Sequence, residues 1–189
     1  MLRSSKGESV TPVKLRPFLR PRLDVLFVAL NPPVQSNSNG HYFSGTGSRF
    51  FKLLFESGLI TKEVPKSNAD EVIFGSTVAN YGGKEFGVVD LVGEVVETES
   101  GRVRPTRHHV ETLLEHIYEL HPRFICIIHS KVRVALEKHA TLSGPLTYGV
   151  CGAILPESDA SVVMNYFPNG NAIPDAAKLQ IFRLLRDAL

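Results

Sequence analysis

The stretch LDVLFVALNPP, Leu23 to Pro33, decides the fold. From Leu23 to Leu30 it is a nearly continuous apolar run rich in β-formers, bounded by Pro21 on one side and Asn31-Pro32 on the other. A strand buried on both faces reads this way, because it has no solvent face to alternate toward. Such a strand needs helices above and below it. The first comes after a polar loop: SRFFKLLFESGLI (48–60) sets Phe50, Phe51, Leu54 and Phe55 at helical spacing and stops at Gly58, with Thr46 or Ser48 available as its cap.

The pattern then repeats. HHVETLLEHIYELH (108–121) is an amphipathic helix entered through Pro105-Thr106, with Val110, Leu113, Leu114, Ile117 and Leu120 on one face. FICIIH (124–129) is a second buried strand, and SKVRVALEKHA (130–140) a helix leaving it. AILP (153–156) and SVVMNYF (161–167) are strand candidates, and GVVDLVGEVV (87–96) is β-rich. EVIF (71–74) fits either a short strand or a piece of helix. Pro174 opens a last helix whose apolar face carries Leu179, Phe182 and Leu185. Strands alternating with helices predict an α/β fold, an open and mostly parallel sheet covered on both faces. Ligands of such sheets sit beyond the carboxyl ends of the strands. The loops after Leu30, Ile128 and Phe167 should therefore share one rim.

At 189 residues the chain suits one domain with a substantial core. Its net charge of +2 and pI near 8.6 permit a polyanionic partner without demanding one. Residues 1–22 hold Arg3, Lys6, Lys14, Arg16, Arg20 and Arg22 against Glu8 alone. They read as a basic arm able to follow phosphates or to stay solvated, and residues 23–189 as the domain. Cys126 and Cys151 lack metal-ligand spacing, which fits a reducing cytoplasm. No run is long and apolar enough to span a bilayer, and no membrane partner is expected. No phosphate-binding glycine fingerprint occurs.

The loop beyond Leu30 raises the chemical question. An Asn before Pro is a common turn starter, yet a strand end is where a scaffold aims side chains into a cleft. The amide of Asn31 can hold a water by its oxygen and a ligand by its NH₂. It cannot remove a proton, so its role in catalysis would be positioning. Tyr42 and Phe43 stand in a polar loop, either folded under it or offered as a stacking platform for a planar base. FPNGNAIP (167–174) carries Asn169, Gly170 and Asn171 between a strand and a helix, as a tight turn or as an anion-binding one.

These residues also form a familiar series. Asn31-Pro32, Gly40-His41-Tyr42-Phe43, the run Gly47 to Leu54 and Ser57-Gly58 resemble the first motif region of the mismatch-specific uracil/thymine-DNA glycosylases, of the uracil-DNA glycosylase superfamily. The likeness continues through Gly87 to Val92 and His121-Pro122-Arg123, and closes with Phe167-Pro168-Asn169-Gly170 at the second motif. It covers most of residues 23–186.

The resemblance implies a three-layer α/β/α sandwich with a short, mostly parallel sheet. It implies a monomer that acts on DNA, without metal or cofactor, by hydrolysing the N-glycosidic bond of uracil or a related flipped-out base. By position, Asn31 would orient the attacking water, Phe43 would stack on the base with Tyr42 assisting, and Leu30 would meet the base edge. Phe167 and Asn169 would face the base. Gly170 and Asn171 would enter the DNA, and Lys14, Arg16, Arg20 and Arg22 would assist at phosphates. The chain departs from the family at Pro33, where Gly is usual, and at Phe167, where a polar donor is usual. Those departures keep a non-catalytic nucleic-acid or nucleobase binder on the same fold in view as one rival. A small-molecule hydrolase on another open sheet is a second, although no nucleophile elbow or carboxylate pair supports it.

Overall fold

The computed structural model describes residues 11–189. Among these residues five strands form one sheet in the order β2-β1-β3-β5-β4. They are β1 (Val25–Ala29), β2 (Phe86–Asp90), β3 (Phe124–Ile127), β4 (Gly149–Gly152) and β5 (Ser161–Met164). All pairings are parallel except that of β4 with β5. β1 lies between β2 and β3, and all five of its residues are buried, as its unbroken apolar run requires.

Among the described residues six α-helices flank the sheet: α1 (Val34–Asn39), α2 (Phe50–Ser57), α3 (Ala69–Phe74), α4 (Arg107–Leu120), α5 (Ser130–His139) and α6 (Asp175–Ala188). Alternate residues of each strand divide between two cores. Val25, Phe27, Phe86, Val88 and Cys126 meet α2, α3 and α6 through Phe50, Leu54, Phe74 and Phe182. Leu26, Val28, Ile125 and Ile127 meet α4 and α5 through Val110, Leu113, Ile117 and Val132. The architecture is the expected three-layer α/β/α sandwich.

Several local expectations change. EVIF takes the helical one of its two readings, as the end of α3. The β-rich run 87–96 leaves the sheet early: Val92 still donates to the Leu30 carbonyl at 2.8 Å, and the chain then turns at Gly93. AILP is no strand. Ile154 and Leu155 are buried under α4 and α5 instead, and the edge strand is GVCG, whose terminal glycines have φ of 113° and 78°. Its poor β-propensity hides it from a sequence pattern. Helix α1 occupies part of what reads as an irregular loop. Helix α2 has Arg49 rather than Thr46 or Ser48 at its N-cap, with no side-chain cap bond, while Gly58 ends it in the left-handed region as predicted.

The described part of the basic stretch, from residue 11, runs along the domain. Leu15 is buried, and Phe18 exchanges backbone bonds with Val88 at 2.9 and 3.2 Å. Gly87 permits that crossing, since a Cβ there would strike the Phe18 carbonyl. Arg3 and Lys6 lie outside the described residues.

Candidate functional site

A cleft of about 680 Å³ opens at the carboxyl ends of β1, β2, β3 and β5. Leu30, Asn31, Asp90, His129 and Phe167 line it from the strand ends, as expected for the rim of an open parallel sheet. The 42–49 loop and Pro168 to Asn171 complete the wall. Asn31 and Phe43 thus share one cavity, joined there by Tyr42, Asn169, Gly170 and Asn171.

Asn31 is almost wholly buried. Its Nδ2 donates to the carbonyls of Glu97 at 2.7 Å, Val95 at 3.0 Å and Pro32 at 3.2 Å. Three acceptors around one end identify it as the NH₂. That half of the amide holds the 95–97 segment, so it is not free for a ligand as the sequence suggests. The Oδ1 has no partner among the described residues. What remains of Asn31 in the cleft is one acceptor at a fixed place.

Phe43 sits at φ 54°, in the left-handed region that a bulky side chain rarely enters. Its surroundings impose this. The Asp70 carboxylate accepts from the Tyr42 backbone N–H at 2.8 Å and bonds the His41 ring at 2.9 Å. Ser44 closes the turn onto the His41 carbonyl. The Phe43 ring stacks on Phe50, with centroids 4.0 Å apart and planes at 23°, and Phe50 belongs to the core. One face is therefore backed by a rigid aromatic layer, and the ring borders the cleft. Beyond it, Lys66 holds the carbonyls of Gly45, Thr46 and Ser48.

The second loop is joined to the first. Ser48 bridges Asn169, and Arg49 N–H donates to the Pro168 carbonyl at 2.9 Å. Beneath them Lys178, fully buried, donates to the Asn169 carbonyl at 2.7 Å and pairs with Asp175 at 3.3 Å. Asn169 Oδ1 accepts from the Asn171 N–H at 3.2 Å, an Asx turn that fixes the tip. Phe167 presents its ring edge to His129, with centroids 5.1 Å apart and planes at 62°.

Four titratable groups of the cleft are displaced from their ordinary ranges. Burial raises the Asp90 carboxyl to about 7, against the smaller lowering effect of the Tyr42 hydroxyl. The Asp90 Oδ2 is buried with no partner among the described residues. Tyr42 lies beside it, 4% exposed, its hydroxyl pushed well up by burial and then by Asp90. Together Tyr42 and Asp90 divide the cleft from a second cavity of about 380 Å³ under His108, His109 and His116. Burial, with Lys131 next, lowers His129 to about 4. Glu97 is held below the usual carboxylate range by the Glu99 N–H.

Lys14 lies against helix α1, donating its backbone N–H to Asn37 Oδ1 at 2.7 Å and its Nζ to the Ser38 carbonyl at 3.3 Å, and Arg16 is exposed. Arg20 and Arg22 are not brought to the cleft. Arg20 pairs with Glu85 and donates to the Phe74 and Phe86 carbonyls, and Arg22 bonds the end of α4, because both residues lie just before β1 at the amino edge of the sheet. The sequence pattern overlooked His129 and Lys178. A His directly after a buried strand and a Lys four residues before Phe182 on an amphipathic helix were the signals available.

The lining contains one cation, Arg49, with Asn, Ser, Thr and Gln groups around an aromatic wall. This suits a flat, neutral, polar ligand rather than a polyphosphate. Among the described residues no three His, Cys, Asp or Glu side chains are grouped to hold a metal, and no helix is long and apolar enough to cross a membrane. The sequence model of one protein family, described as the Uracil DNA glycosylase superfamily, matches residues 16–173. Among curated proteins none matches the chain.

Proposed function

The chain belongs to the Uracil DNA glycosylase superfamily, and from that premise we propose that it hydrolyses the N-glycosidic bond of uracil, or of a related deaminated or mismatched base, everted from DNA. The observation that carries this reading is the meeting of the open Asn31 oxygen and the backed Phe43 ring on one cleft of a size to take a nucleobase.

The chemistry follows from those groups. The everted base lies against Phe43, a contact worth about 1–3 kcal/mol. Asn31 Oδ1 accepts a hydrogen bond from a water and holds it beside the sugar C1′. As the C1′–N bond breaks, its electron pair leaves with the base, and positive charge gathers on the sugar. The water oxygen then bonds C1′, and its proton passes to Asp90, the buried carboxylate of the cleft. Since water attacks late, a weak base suffices, and a carboxyl with a pKa of about 7 is matched to the work. The 168–171 tip, tied to the first loop and to Lys178, is stiff enough to enter the space the base has left.

The test uses labelled oligonucleotides bearing U:G, U:A, T:G, hypoxanthine or single-stranded uracil, with alkaline cleavage of abasic sites. Scission by the parent and its loss in Asn31→Ala is the expected result. Phe167 and Pro33 favour one other reading, a nucleic-acid or nucleobase binder without hydrolysis. Salt-sensitive binding with every strand left intact would establish that instead.

A further inference from the structure

A departing uracil anion needs a hydrogen-bond donor, and residue 167, a phenylalanine, cannot supply one. We propose that His129 supplies it, donating its Nε2–H to the carbonyl of the base as the glycosidic bond breaks. This rests on the glycosylase reading and adds a substrate-contacting residue to it.

Four observations carry the assignment. His129 is the residue at which β3 delivers the chain to the rim, and its side chain lines the same cleft as Asn31 and Phe43. Its tautomer is set by the fold: the Lys131 backbone N–H donates to Nδ1 at 3.1 Å, so Nδ1 carries a lone pair and Nε2 carries the proton. Helix α5 starts at that bond, with His129 as its N-cap, so the ring cannot turn over without losing the cap. Nε2 has no partner among the described residues, yet it is not among the sealed unpartnered atoms. Phe167, edge-on at 5.1 Å, packs against the imidazole. The residue that lacks a donor thus orients the one that has it.

The charge state fits the task. A ring that protonates only near pH 4 is neutral throughout the working range. It shares its proton with the anion and keeps it. The electron pair of the C1′–N bond stays on the base, the water proton goes to Asp90, and the base takes a proton from solvent after release.

Leaving-group chemistry tests the role, because a better leaving group needs the donor less. His129→Ala should lower the single-turnover excision of uracil by about 100-fold and that of 5-fluorouracil by less than about tenfold. His129→Asn, which keeps an N–H, should recover part of the loss on uracil. Equal losses on both bases would mean general damage to the site and overturn the proposal, as would no loss on either. In protein carrying ¹⁵N-labelled histidine, the spectra should show the Nε2–H tautomer of His129, and free uracil should shift that nitrogen. A Nδ1–H tautomer, or an unmoved resonance at saturating uracil, would also overturn it. Should the parent leave every oligonucleotide intact, the glycosylase reading itself falls, and the leaving-group role with it.

Discussion

The two edges of the sheet treat polar groups in opposite ways. At the amino edge charges are matched in a network: Asp24 takes the Glu85 N–H at 2.9 Å and Lys84 at 3.3 Å, and Arg20 is shared between Glu85 and two carbonyls. At the carboxyl edge Asn31 Oδ1, Asp90 Oδ2 and His129 Nε2 are without partners among the described residues; Asp90 Oδ2 is sealed from solvent, while the other two remain open to it. An unsatisfied buried polar atom costs about 1–3 kcal/mol. Asp90 Oδ2 bears that cost at the rim of the cleft, where a ligand can return it. The strained Phe43 backbone stands on that same edge.

Breaking the carboxyl edge should cost activity, and the largest loss is expected at Asn31. Asn31→Ala should reduce single-turnover excision by about 100-fold or more, as removal of a fixed positioning group does. Its melting temperature should also fall, since three carbonyls lose their donor. Asn31→Asp, which keeps Oδ1 but not the NH₂, should lose stability as well, by thermal melting.

Asp90 separates activity from stability. The parent's excision rate should rise as pH passes through about 7, when Asp90 ionises, and Asp90→Asn should flatten that rise while lowering the rate about 10- to 100-fold. The stability change has the opposite sign. With its folded pKa raised, the parent binds an extra proton when folded, so stability is full below about pH 4 and declines up to about pH 7. Asp90→Asn should therefore melt higher than the parent at pH 8, and the gain should shrink at pH 5. A variant that melted lower at both pH values would show that the carboxylate is satisfied after all.

Phe43 gives a smaller effect. Phe43→Ala should weaken binding of uracil-containing DNA about tenfold, through the lost stacking. Phe43→Gly should bind as weakly but be more stable than Phe43→Ala by about 1 kcal/mol, because glycine accepts φ 54° freely. Denaturant unfolding of the pair measures the difference. The smallest effect belongs to the amino edge. Arg20→Ala should cost about 1 kcal/mol of stability and leave excision unchanged.

The fold was legible where hydrophobic period alone determines structure. The run Leu23 to Leu30, the Phe50-Phe51-Leu54 spacing and the α4 face all lie where their patterns place them. GVCG was missed because its strand is made by pairing with β5 rather than by its own residues, and EVIF stayed open between strand and helix because four apolar-rich residues fit either period. In the site, strand ends located the rim, so Leu30, Asn31 and Phe167 could be placed beforehand. The orientation of the Asn31 amide could not, since it depends on carbonyls 64 and 66 residues away. His129 and Lys178 acquire their roles only through neighbours that a linear pattern does not show. Arg20 and Arg22 illustrate the converse: a basic run suggested a phosphate contact, and the direction of β1 set both residues at the far edge.

The most direct test is the structure of the protein bound to a duplex carrying 2′-fluoro-2′-deoxyuridine opposite guanine, whose glycosidic bond resists cleavage. The uracil ring should lie against Phe43, with its C1′ beside Asn31 Oδ1 and a carbonyl toward His129. A uracil still stacked in the duplex, or DNA held at another surface while the cleft stays empty, would contradict the account.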